Sequence, residues 1–113
     1  MNVAPLGSAA LIVVTAAIHS IKGERRVISA VAAIDPTALD PRVRRIIRFS
    51  WHLESVFMLL TAVTVAWPGS PTTLLRLIGV TYLVIGLVVL WRSRGWHVSG
   101  PLFAASGVLA LFG

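Results

Sequence analysis

Four apolar runs, at residues 3–21, 49–67, 72–91 and 98–112, leave this chain almost no length from which to build a water-exposed face. A membrane-crossing helix needs about 20 predominantly apolar residues at 1.5 Å rise each, and the first three runs reach that length. The fourth, at about 15 residues, crosses only with little tilt or with local thinning of the bilayer. Hydrophobic residues make up 57% of the 113 and charged residues only 12%, about half the share of soluble domains. So small a body cannot hide that excess from water. The expected architecture is an all-α transmembrane four-helix bundle occupying 1–113 as one domain. There is no internal repeat or linker, and the absence of cysteine excludes disulfides, thiolate nucleophiles and zinc–thiolate sites. The first run could be a cleaved signal peptide, but residues 1–8 carry no Lys or Arg. It reads as a retained span.

Charge sets the orientation. Nine of the ten Lys and Arg fall in two segments, 22–48 and 92–97. The longer one holds Lys22, Arg25, Arg26, Arg42, Arg44, Arg45 and Arg48 against Glu24, Asp35 and Asp40. The positive-inside bias places both segments in the cytoplasm and the Pro68-Gly69-Ser70-Pro71 turn outside. The topology is then up-down and antiparallel, N-out and C-out, in a bacterial-type inner membrane. Arg76 alone departs, and it can snorkel outward from the start of the third run. Trp51, Trp67, Trp91 and Trp96 sit at run ends, where an indole suits the membrane interface.

Within 22–48, Val27, Ile28, Val31 and Ile34 recur at helical spacing, which predicts a short amphipathic helix on the headgroups. Asp35-Pro36 ends it, because the residue before proline avoids the helical region. Asp40-Pro41 reads as an N-cap followed by proline at the first helical position. The second membrane helix therefore begins in the cytoplasm. Arg25, Arg26, Arg42, Arg44, Arg45 and Arg48 are expected to contact anionic lipid headgroups, and nucleic acid is not an expected partner.

Contacts between helices in lipid gather small and weakly polar residues. Such stripes recur at three- and four-residue spacing: Ser8, Ile12, Thr15, His19 and Lys22; Ser50, Glu54, Phe57, Thr61 and Thr64; Gly79, Tyr82, Gly86, Val89 and Ser93; Gly100, Phe103, Gly107 and Ala110. The spacing predicts a left-handed bundle with these faces inward.

No glycine-rich phosphate loop, Gly-x-Ser-x-Gly elbow or His-Glu-x-x-His is present, so autonomous catalysis is not expected. His19, His52 and His97 gather at the cytoplasmic boundary. Glu54 lies about one turn inside its span, where an ionisable group costs up to about 3 kcal/mol at mid-bilayer. It is expected to face the bundle and pair with His19 or Lys22, or with Arg92 and Arg94. One reading is an ion pair that fixes packing. The other is a protonatable coupling site flanked by Thr61 and Thr64. His19 and His52 could instead ligate haem, or with Glu54 hold a transition metal, and His97 is a further candidate ligand. His52 and Glu54 stand about 200° apart around their helix, so they cannot both aim at one ion. The leading reading contains no cofactor.

The strings His19-Ser20-Ile21-Lys22-Gly23-Glu24 and Arg48-Phe49-Ser50-Trp51-His52-Leu53 resemble those of a group of small bacterial four-helix membrane proteins. That resemblance implies membrane location and no activity. Length and span count are similar to the small multidrug resistance transporters, which carry their essential acid in the first helix; this chain has none in 3–21. The expected function is that of a small accessory or lipid-associated membrane component. The rivals are a proton-coupled transporter using Glu54 and a haem or metal redox protein using His19 and His52. Lipid is the expected partner, and a homo-oligomer or larger membrane complex is compatible with it.

Overall fold

A computed structural model describes residues 3–34, 37, 40–95 and 97–113. Helix α1 spans Ala4–Lys22, continues without a break as a π-helical segment over Gly23–Ile28, and returns to α geometry in α2, Ser29–Ile34. Helix α3 spans Pro41–Ala66, α4 Thr72–Ser93 and α5 Ser99–Leu111. The described residues contain no strand. Three helical stretches, Ala4–Val31, Pro41–Ala66 and Thr72–Ser93, are long and apolar enough to cross a membrane. Helix α5 has 13 residues, and at 1.5 Å each it covers only about 20 Å.

Local chemistry sets these boundaries. Asp40 caps α3 as its sequence suggests, its Oδ1 accepting from the Arg42 backbone N–H at 2.7 Å, with Pro41 in the first turn. The Pro68-Gly69-Ser70-Pro71 turn separates α3 from α4, and the Ser70 hydroxyl donates back to the Thr64 carbonyl. At the end of α4, Arg94 and Gly95 both adopt positive φ, and the Gly95 N–H closes onto the Leu90 carbonyl at 3.0 Å. The segment expected to form a separate amphipathic helix instead prolongs α1 through a π-helical stretch that begins at Gly23. The expected stop at residues 35 and 36, and the tryptophan at 96, lie outside the described residues.

Helix α1 packs on α3 and on α5, and α5 packs on α4. The result is flat, with Cα extents of 54 × 30 × 18 Å. Its core joins Ala9 and Ile12 of α1, Ala62 and Val65 of α3, Leu75 and Tyr82 of α4, and Phe103 of α5. The Tyr82 and Phe103 rings lie 5.4 Å apart at 55°, a favourable tilted pair. Ser8 donates to the Ser106 carbonyl at 2.7 Å, tying the start of α1 to the later half of α5. Glycine governs the α4–α5 contact. A Cβ on Gly107 would stand 2.6 Å from the Gly79 carbonyl oxygen, and one on Gly86 would stand 2.8 Å from the Ala104 Cα and the Gly100 carbonyl oxygen. The two backbones touch, as small residues allow in lipid.

The inward stripes expected for α1, α4 and α5 coincide with buried positions at Ser8, Ile12, Thr15, Gly79, Tyr82, Gly86, Gly100, Phe103, Gly107 and Ala110. On α3 the expected face is displaced by one residue. Ser55, Ala62 and Val65 are buried, while Ser50, Glu54 and Phe57 are exposed. Thr61 and Thr64, both half-buried, donate their hydroxyls to the Phe57 and Leu60 carbonyls of their own helix, and Thr61 also meets the Tyr82 hydroxyl of α4.

Candidate functional site

Two short polar stripes meet where the last turn of α1 and its π segment cross the first half of α3. On the α1 side stand His19, Ser20, Gly23 and Glu24; on the α3 side stand Arg48, Trp51, His52 and Ser55. Residues three and four apart share a helix face, so each stripe is presented as a unit. Glu24 is gripped from two directions. Arg48 Nη2 lies 2.7 Å from Oε1, and His52 Nε2 lies 3.0 Å from Oε2. A carboxylate only accepts, so Nε2 of His52 carries the hydrogen. The other ring nitrogen, Nδ1, lies 3.0 Å from the Ser20 hydroxyl, which lies 2.6 Å from that of Ser55. Hydroxyl rotors can run this chain in either direction.

One turn away, Trp51 and His19 lock together. Their rings stack at 4.7 Å with planes 3° apart, and the indole N–H donates to the His19 carbonyl at 2.9 Å. His19 Nε2 faces two acceptors, the Trp51 carbonyl at 3.2 Å and Glu54 Oε2 at 3.3 Å, and therefore also carries a hydrogen. Gly23 lies directly beneath the indole. A Cβ there would overlap Trp51 Nε1 and stand 2.6 Å from its Cδ1. The π segment begins at this glycine; π turns are rare and often occur at functional sites.

No family model, no curated protein and no solved structure matches this chain. Its function must be read from its own geometry.

That geometry distributes the sequence candidates unevenly. His19, Lys22 and His97 come together around one cavity of about 310 Å³ at the basic end, with Arg26, Trp51, Ser99 and Phe103 also in its wall. His52 faces the other side of α1, toward Glu24. Glu54 touches His19, one of its expected partners, but its side chain is 65% exposed on the outer face of α3. It does not enter the bundle as expected, because a residue next to Ser55 cannot share its inward direction. Lys22 lines the cavity and makes no contact with Glu54. Arg42, Arg45 and Arg48 are exposed along the first two turns of α3. Arg25 and Arg26 are exposed on the π segment. Among the described residues no group of three His, Cys, Asp or Glu could hold a metal ion. Two contacts have no counterpart in the sequence analysis: the grip of Arg48 and His52 on Glu24, and the Ser20–Ser55 bridge. The signal was present as matching spacings, 20 and 24 on one helix against 48, 52 and 55 on the other.

Proposed function

We propose that this chain is an antiparallel four-helix protein of a bacterial-type inner membrane, N-out and C-out, that associates with anionic lipid through its basic end and serves as an accessory component. One observation carries the reading. Lys22, Arg25, Arg26, Arg42, Arg45 and Arg48 lie on the two helix ends joined at the α1–α3 crossing, on turns that continue beyond the apolar lengths. Only Arg48 of these has a carboxylate partner among the described residues. Cations held in this way attract anionic headgroups, each contributing about 1 kcal/mol near a charged surface. Helix α5 serves as the fourth span, with the bilayer thinned around it.

The rival readings draw less support. A transport role through Glu54 has the His19 contact in its favour, but the carboxylate faces outward. A redox role would require His19 and His52 to release hydrogen bonds with Trp51, Glu24 and Ser20.

In nanodiscs, phosphatidylglycerol should raise the melting temperature relative to phosphatidylcholine, and a variant with Arg42, Arg44, Arg45 and Arg48 changed to Gln should lose most of that difference. Equal stability of the unaltered chain in both lipids would overturn the proposal. Topology has its own check. Reporters that fluoresce only in the cytoplasm should stay dark at both ends of the chain and light up when inserted between residues 36 and 40. A bright C-terminal fusion would mean that α5 does not cross.

A further inference from the structure

A cavity of about 310 Å³ lies at the basic end, lined by the last turns of α1, its π segment and the start of α5 near Ser99. Its lining is chemically mixed: Ile18, Val98 and Phe103 supply apolar surface, while Lys22, Arg26 and His97 supply polar groups. Among the described residues no carboxylate lines it: Glu24 is held by Arg48 and His52 across α1, and Glu54 lies beyond His19 on the outer face of α3. Lys22 and Arg26 make no hydrogen bond or ion pair among the described residues, so two positive charges border the cavity without a counter-charge from those residues. His97 Nδ1 accepts from the Ser99 backbone N–H at 3.3 Å. A neutral ring therefore keeps its hydrogen on Nε2.

We propose that this cavity binds one anionic phospholipid, its phosphate held by Lys22, Arg26 and His97 and the start of an acyl chain lying along Ile18, Val98 and Phe103. The site rests on the reading above, in which the basic end faces an anionic leaflet, and makes it specific: a single stoichiometric lipid rather than a diffuse headgroup layer. Two such cations together with apolar surface suit a molecule that is anionic at one end and hydrocarbon at the other.

The test uses the full chain, delipidated in neutral detergent, with phosphatidylglycerol titrated and bound lipid counted by native mass spectrometry. One lipid should bind ahead of the rest. Lys22→Gln with Arg26→Gln should weaken that first event by roughly twentyfold or more, since each cation near an anionic group contributes a factor of about five. Both side chains are exposed, so the variant should keep its melting temperature, and Lys22→Arg with Arg26→Lys should restore binding. Arg42→Gln with Arg44→Gln should leave the first event within about twofold, as these cations act only on the surrounding layer. If the second pair costs as much as the first, the cavity is not the site, although the lipid-associated reading stands. Failure of phosphatidylglycerol to bind at all overturns both. Inorganic phosphate or glycerol phosphate that displaces the lipid at comparable concentration would show that the cavity takes free phosphate, and the lipid assignment would fall.

Discussion

Replacing Gly86 or Gly107 by leucine should cost about 3 kcal/mol or more, the largest effect of any single change outside the charged end. The reason is the partner atom. At both positions a new side chain meets backbone: Ala104 and Gly100 opposite Gly86, and Leu83 and Gly79 opposite Gly107. Backbone cannot rotate aside as a side chain can, so the α4–α5 axes must separate and the tilted Tyr82–Phe103 contact with them. Leu87 provides the control. It is 53% exposed on the outer side of α4, and truncation to alanine there should stay within about 0.5 kcal/mol. Thermal unfolding in one detergent gives the ranking. Leu87→Ala as damaging as either glycine change would mean that α4 and α5 do not meet along this seam.

The second large effect is expected at Gly23→Ala. A methyl group there collides with an indole fixed on both faces of the problem, by its stack on His19 and by its N–H bond to the His19 carbonyl. Overpacking of this kind costs about 1–3 kcal/mol. The collision has a single cause, so removing the indole should remove it. Trp51→Leu alone loses the stack and the hydrogen bond, yet Gly23→Ala added to it should cost almost nothing more. A double-mutant cycle reads that non-additivity directly. Additive losses would place the strain elsewhere in the π segment.

Much of this architecture was legible in order. Apolar run length located three membrane-length helices, and Asp40-Pro41 located the start of α3 to the residue, because a cap and a proline act on their own backbone. The small-residue stripes of α1, α4 and α5 were readable for a similar reason: glycine and serine at helical spacing have few uses in lipid besides close contact. Helix α3 misled. Its polar residues at 50, 54, 61 and 64 form a regular stripe, but two of them satisfy themselves on their own carbonyls and Glu54 reaches only the edge of His19. The inward face is chosen instead by Trp51 fitting Gly23 and Ser55 meeting Ser20, and those preferences belong to pairs of helices. The π segment was unreadable for a different reason. A wider turn leaves no composition signature beyond a glycine, and the apolar spacing of Val27, Ile28, Val31 and Ile34 suits a new helix as well as a continued one.

The flatness of the molecule, 18 Å through its thinnest direction, has a thermodynamic consequence. A body so thin has little interior, and Val56, Leu60 and Val63 of α3 and Val80, Val84 and Leu87 of α4 face outward. In a bilayer those side chains touch hydrocarbon before and after the helices come apart. The usual source of a large heat-capacity increment, apolar surface newly wetted on unfolding, is therefore mostly missing. The stability curve of such a chain is shallow, without the strong curvature that brings cold denaturation to water-soluble domains. What separates folded from unfolded here is a short account of backbone contact along the glycine seam and polar contact at the α1–α3 crossing, and the hydrocarbon around it is neutral to both.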